Sequence, residues 1–396
     1  MHNLIAKDAS AEATGIKKVG IIGAGAMGGG IAAQFADAGI CVELLDISSG
    51  ENRVEPAEVG ISRQLHLGGF TAPDAAARVR PGNIDDHLER LQDVDWVIEA
   101  VVEKLDIKRA LFQKLAPYLK PSAILSSNTS TIPRYELIAG MESGLARRFA
   151  ITHFFNPPRL MPLLEVVADD QADPKLRERL NNAARILLGK TLIDCNDTPG
   201  FVANRIGCFW IAVSVSEACR FGLDIETADA VQSVLGVPKT GVFGLLDLIG
   251  IDLVPTIWGG LMRALPAEDG LQAYNLLGNP LIGELLAKGL LGRKTGGGFY
   301  RKTADGQFEV FDTDTLLYRA KRAVQLPTEL KELLNEQGPV GNYARSVLRN
   351  LMTYCETHVT AIAPDAAAVD TAMQLGYSWR EGPFALAGKT AEIIDR

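Results

Sequence analysis

The chain has 396 residues, room for two to three domains at roughly 150 residues each. Its 47% hydrophobic and 22% charged residues give the balance of a globular protein with a sizeable core, which excludes wholesale disorder. Forty basic against forty-eight acidic residues leave a net charge of −8, which argues against a nucleic-acid partner held by charge.

The first sixteen residues hold neither an apolar core nor an Arg-rich amphipathic pattern, so no targeting peptide is expected there. Order is predicted to begin after Lys17-Lys18 with the β-branched run VGIIG, which suits a buried parallel strand. A GAGAMG turn follows, then a helical pattern ending at Gly39, and a second strand, CVELLD, closing on Asp46. Further strand signals are WVIEAVVE (Trp96 to Glu103), AILSSNTS (Ala123 to Ser130), FAITHFF (Phe149 to Phe155) and LLEVVA (Leu163 to Ala168). A helical pattern over Ile107 to Leu119 is one of several between them, and strands alternating with helices predict a doubly wound parallel sheet. The expected fold is therefore an α/β Rossmann-type N-terminal domain over residues 1–197, followed by an all-α region.

That region is predicted to hold a helical substrate domain over 198–302, a linker over 303–330 and a second helical copy over 331–396. The copies are displaced by 141 residues: Asp229 falls on Asp370, Gly241 on Gly382, Phe243 on Phe384, but Asn204 on Arg345. A duplicated helical unit with a degenerate second copy is expected, and its end at Arg396, opposite Pro255, reads as clipped. Five cysteines (Cys41, Cys195, Cys208, Cys219, Cys355) are widely spread without a CxxC pair, which fits reduced thiols in a cytoplasmic protein and no metal site. No run reaches the ~18 apolar residues of a membrane span.

GxGxxG is a weak signal alone, but here it joins a strand to a helix, and an acid ends the next strand. Gly23 permits the tight turn, Gly25 lets the backbone approach a pyrophosphate, and Gly28 allows close helix–strand packing. The helix N-terminus offers N–H groups to phosphate. Asp46 is placed for the ribose hydroxyls and repels a 2′-phosphate, and Ile47-Ser48-Ser49 supply no Arg clamp, so NAD is expected over NADP.

Four polar residues stand at strand ends or a helix start: Ser130 in SSNTS, His153 in THFFNPP, Glu165 in LLEVV and Asn204 in GFVANR. Such ends line the ligand crevice of an open α/β sheet. A lone histidine reads first as a satisfied core residue. Glu165 changes that reading, because a carboxylate among Leu163, Leu164, Val166 and Val167 is costly unless paired. A bend at Asn156-Pro157-Pro158 would return Glu165 to His153, and a His–carboxylate pair is what a general base needs.

HFFNP, the strand carrying Glu165, SSNTS and TPGFVANR together resemble the L-3-hydroxyacyl-CoA dehydrogenase family of fatty-acid β-oxidation. The similarity runs from Lys17 over nearly the whole chain and looks most like the dehydrogenase half of multifunctional enzymes. Some bacterial members of that group carry an enoyl-CoA hydratase module, which makes such a module a candidate partner. The resemblance implies His153 as base, Glu165 as its partner, Ser130 on the substrate's 3-oxygen and Asn204 on the acyl part. For the cofactor it implies Glu103, Lys108, Ser130 and Asn156 beside the loop residues Gly23, Gly25, Met27 and Gly28 and the strand-end Asp46. Without the family, Glu103 and Lys108 read as a solvated helix start, and Ser130 as a helix cap.

The implied activity is oxidation of (S)-3-hydroxyacyl-CoA by NAD, with an acyl-CoA substrate. Between residues 47 and 95 the sequence departs from the family pattern, broken at Pro56, Gly60, Gly68-Gly69, Pro73 and Pro81-Gly82, so CoA contacts are not carried over there. Two other readings remain open: a β-hydroxyacid dehydrogenase acting without CoA, and a non-catalytic NAD-binding scaffold on the same fold. Erosion of Ser130, His153, Glu165 or Asn204 would mark the scaffold, and all four are present. Monomer and homodimer are both compatible with the duplication.

Overall fold

The structure, a computed structural model, describes residues 13–169 and 171–394. It divides into two compact units, the first closing at Phe201 and the second opening at Val202.

The first unit is built on one eight-stranded sheet. Its strands are β1 (Lys18–Ile22), β2 (Cys41–Asp46), β3 (Val79–Asn83), β4 (Trp96–Glu99), β5 (Ile124–Ser127), β6 (Phe149–Phe154), β7 (Leu163–Val167) and β8 (Thr191–Asp194). Their order is β3-β2-β1-β4-β5-β6-β7-β8. The chain moves outward through β2 and β3, then crosses back to β4, so the β1/β4 boundary is the switch point beyond which ligands of such sheets bind. Helices α1 (Ala26–Asp37), α2 (Glu55–His66), α3 (Leu105–Leu115) and α4 (Pro174–Asn182) flank it. Phe35 of α1 meets Trp96 of β4 edge-on at 5.5 Å, and the buried Trp96 indole N–H is satisfied by Ser126 Oγ at 2.8 Å.

The six predicted strands are all present, with two more at the edges. β3, VRPGN, carries Pro81, which cannot donate to a ladder and is tolerated at this edge position, and Gly82, which weakens a strand signal. β8 is the four-residue TLID at the opposite edge. The sheet is not wholly parallel: β7 runs antiparallel to β6, to which it is joined without a helix. The segment expected to be broken after Asp46 forms the intact helix α2. Pro56 falls in its first turn, where proline costs no hydrogen bond, and Gly60 lets it pack where a Cβ would come within 2.6 Å of Ala24 O.

The second unit contains helices α5 (Ala203–Arg220), α6 (Ile225–Val234), α7 (Gly241–Ile249), α8 (Val254–Ala264), α9 (Pro280–Ala287), α10 (Pro339–Ile362), α11 (Ala366–Tyr377) and α12 (Pro383–Ile394). The stretch 303–330, expected to be a linker, carries two strands of a three-stranded antiparallel sheet: β9 (Tyr300–Lys302), β10 (Phe308–Phe311) and β11 (Tyr318–Ala320). The signal for this sheet is weak but present, in the alternation of FEVF and the turn residues Asp305-Gly306 before it. Helix α6 caps α7 through Asp229, whose oxygens accept from Phe243 N and Gly244 N at 3.0 and 3.1 Å. The same cap recurs 141 residues on (370 − 229): Asp370 of α11 accepts from Phe384 N and Ala385 N at 2.8 and 2.9 Å. Gly241 and Gly382 are both needed, since a Cβ on either would lie 2.2 Å from the capping aspartate. This recurrence supports the duplicated-unit reading. Opposite Asn204, Arg345 donates to the Leu334 and Glu336 carbonyls, so the second copy uses that position to bind its own backbone. No single helix among the described residues is long and apolar enough to cross a membrane.

Two buried aspartates in this unit make stability depend on pH: the cap Asp229, and Asp247 of α7, which accepts from Phe299 N and Tyr300 N at 2.8 Å each. Burial pushes Asp229 up to about 7 and Asp247 up to about 6, from an ordinary 3.8, against the pull of their hydrogen-bond donors. The folded chain holds these protons more tightly than the unfolded one. Their contribution is therefore complete below about pH 4 and lost as pH rises through about 7. In Asp229→Asn, the unfolding free energy should change less over that window than in the wild type. Equal slopes in chemical denaturation would refute the assignment.

Candidate active site

The glycine loop between β1 and α1 is shaped by its own backbone. Gly23 takes φ +102°, and its N–H donates to Leu45 O at 2.7 Å. A Cβ at Gly23 would come within 2.5 Å of Ala100 O, and one at Gly28 within 1.8 Å of Gly23 O. Gly25 differs. It has φ −63°, its surface is exposed, and a Cβ there would meet nothing within 4 Å. Two glycines are thus demanded by the fold, and the third leaves room beside a helix N-terminus that has no side-chain cap and no acid in its first turn. That is the cradle a dinucleotide pyrophosphate requires, and the residues fit NAD. Met27 lies half-buried in the same first turn. Asp46, at the end of β2, takes Ala24 N at 2.5 Å and Ile47 N at 2.7 Å, which ties the loop to the strand end where a ribose would sit. Arg53, the nearest basic residue along the chain, forks onto Asp86 at 2.7 and 3.1 Å and forms no clamp beside Asp46.

A buried charge cluster lies at the ends of β4 and β5. Lys108, on α3 and 1% exposed, reaches Glu99 at 2.7 Å and Glu103 at 3.1 Å. Glu99 also accepts from Val101 N at 2.7 Å and Ser127 Oγ at 2.6 Å. Glu103 Oε1 in turn receives Thr129 Oγ1, Ser130 N at 3.1 Å and the Thr131 hydroxyl at 3.0 Å. Burial raises the Glu103 carboxyl, but Lys108 and the hydroxyl donors outweigh it and hold it below its ordinary value. The cluster therefore anchors the loop carrying Ser130 to the floor of the sheet. The solvated-helix reading of Glu103 and Lys108 is overturned: the two pair with each other, and Lys108 is buried on Glu99, a partner that sequence reasoning misses. Ser130 is not a helix cap either: the next helix begins after Pro133 without a side-chain cap. Among the described residues the Ser130 hydroxyl has no hydrogen-bond partner.

The third part is the β6–β7 pair. His153 and Glu165 are direct register partners, and His153 Nδ1 lies 2.7 Å from Glu165 Oε2. Glu165 is 0% and His153 6% exposed, with Phe155 and Phe201 rings 4.5 and 5.8 Å from the imidazole. A carboxylate on Nδ1 fixes the proton there and leaves Nε2 as the basic nitrogen. The register Glu99–Ser127–Ile151 places His153, two residues beyond Ile151, on the same sheet face and nearer its C-terminal edge.

The sheet thus brings together Gly23, Gly25, Gly28, Asp46, Glu103, Lys108, Ser130, His153 and Glu165. Asn156 is exposed in the loop that follows β6, beside a cis bond to Pro157. Asn204 belongs to the second unit, half-buried in the first turn of α5. Among the described residues no three His, Cys, Asp or Glu side chains gather as metal ligands.

Residues 18–198 match the 3-hydroxyacyl-CoA dehydrogenase NAD binding domain, and residues 200–302 match the C-terminal domain of the same family. A Deinococcus radiodurans protein described as a 3-hydroxyacyl-CoA dehydrogenase is 40% identical over 73% of this chain and 84% of its own length. The chain belongs to the 3-hydroxyacyl-CoA dehydrogenase family. A Rickettsia felis protein described as a fatty acid oxidation complex trifunctional enzyme is 40% identical over 94% of this chain, which spans about half, 53%, of that relative's length. The crystal structure of 3-hydroxybutyryl-CoA dehydrogenase from Escherichia coli K12 covers 96% of this chain and 93% of its own, with TM-score 0.71 and 24% identity, a likeness of fold.

Proposed function

We propose that this chain oxidises (S)-3-hydroxyacyl-CoA to 3-ketoacyl-CoA with NAD in preference to NADP, as a step of fatty-acid β-oxidation. The observation that carries this reading is the buried His153–Glu165 pair, 2.7 Å apart, on the sheet whose switch point holds the glycine cradle. Bound in the cradle, NAD supplies the hydride acceptor. His153 Nε2 takes the proton of the 3-hydroxyl, and Glu165 stabilises the imidazolium that forms. Ser130 donates its hydroxyl to the 3-oxygen, its backbone N–H held by Glu103. Asn204 holds the acyl part. Asp46 accepts from the adenosine ribose and disfavours a 2′-phosphate. The trifunctional description of the Rickettsia relative supports a hydratase module as a functional partner.

NADH consumption by the full chain with acetoacetyl-CoA, against free acetoacetate, tests the reading. Turnover of the thioester alone is expected. Equal use of both would favour a β-hydroxyacid dehydrogenase, and NAD binding without turnover a scaffold. A second test separates fold from cofactor: Gly25→Ala should keep the wild-type Tm and weaken NAD binding by about tenfold or more, because its methyl occupies only ligand space. Gly28→Ala should unfold the loop itself, since its Cβ would strike Gly23 O.

A further inference from the structure

Lys190 is a buried cation that the mechanism leaves unused. It is 4% exposed, and among the described residues no carboxylate lies within ion-pair distance of its ammonium. Instead Nζ donates to two backbone carbonyls, Pro158 O and Met161 O, at 2.6 Å each, with the Phe154 ring 5.6 Å away. Both carbonyls belong to the loop over residues 156–162, which links His153 on β6 to Glu165 on β7. A buried ammonium without a counter-charge is costly, and burial pushes Lys190 down to about 8, so this geometry is held against a penalty.

The same loop lies on the nucleotide helix. Pro158 packs so close to α1 that a Cβ at Gly30 would come within 3.0 Å of its ring. Two residues before Lys190, Leu188 O accepts from Gln34 Nε2 of α1 at 3.0 Å. One segment, 188–190, therefore ties α1 at one end and the loop at the other. The His153–Glu165 register does not depend on this tie, because the β6–β7 ladder from Ile151 to Phe154 holds it directly.

We propose that Lys190 is a positioning residue for cofactor binding, its ammonium clamping the 156–162 loop against α1, the helix whose N-terminus receives the dinucleotide phosphates. This rests on reading the chain as a dinucleotide-dependent dehydrogenase. Lys190→Met keeps the hydrophobic stem and removes both hydrogen bonds. It is expected to raise KM for NAD about tenfold, the net worth of one hydrogen bond, while kcat at saturating NAD stays within about twofold. In the full chain without cofactor, the backbone amides of Asn156, Arg159, Leu160 and Met161, the loop residues that carry an N–H, should exchange with deuterium faster, and those of β4 and β5 unchanged. Lys190→Gln, which retains a donor, should show a smaller rise in KM, and it serves if the methionine variant does not fold. Unchanged KM with unchanged loop exchange overturns the proposal. So does a drop in kcat and Tm together at constant KM, which marks a purely structural lysine. A wild-type chain that binds NAD but turns over no thioester defeats the functional reading instead. The exchange measurement then still decides, independently, whether the clamp exists.

Discussion

Replacing His153 by Gln is expected to lower kcat roughly 10²–10⁴-fold, the usual worth of a positioned general base, with the Kd for NAD nearly unchanged. Glutamine places its amide about where Nε2 lies and keeps most of the side-chain bulk, and the β6–β7 ladder, made by the backbone from Ile151 to Phe154, is retained. What disappears is the basic nitrogen. The cradle at Gly23, Gly25 and Gly28 is built by β1, α1 and β2, on the other side of β4 and β5, and does not touch the imidazole. Equilibrium NAD titration beside steady-state kinetics with acetoacetyl-CoA separates the two effects. A loss of NAD binding as large as the loss of kcat would show that His153 supports the fold or the cofactor and is not the base. Glu165→Gln should lose less in kcat, because the imidazole remains and only its orientation and the stabilisation of its charged form are weakened.

Much of this site is legible in the sequence because local rules and burial agree there. GAGAMG between a β-branched run and a helical pattern admits few structures, and an acid inside LLEVV demands a partner whatever the fold. The same rule, applied to WVIE, points to Glu99. It is masked because the strand signal runs on to Glu103, whereas β4 stops at Glu99 and the chain leaves the sheet. Lys190 is illegible for the opposite reason. A lysine between Gly189 and Thr191 at a strand start looks like surface, and only the long-range return of residues 156–162 buries it. The edge strands β3 and β8 are hard to see because edges relax the requirements that make central strands recognisable: Pro81 and Gly82 are allowed in one, and the other is only four residues long.

The second large effect lies in the Glu99–Lys108–Glu103 cluster. Removing one partner of a buried ion pair typically costs about 3–5 kcal/mol, since the remaining charge is left uncompensated. Lys108→Met is expected to destabilise the first unit by about that amount, because Glu99 would keep only Val101 N and Ser127 Oγ as donors in an environment closed to water. Glu103 would suffer less, being partly exposed and still supported by Thr129 and Thr131. The double variant Glu99→Gln/Lys108→Met removes both buried charges and should recover much of the loss in urea unfolding, by the logic that replacing a buried pair is far cheaper than breaking it. The recovered protein should nevertheless turn over poorly. Glu103 no longer has Lys108 to hold it against the 129–131 loop, and Ser130 depends on that loop for its place. Stability restored together with full activity would show that the cluster holds up the sheet and nothing more. Stability restored with activity still low would place the anchoring of Ser130 in the Lys108–Glu103 link.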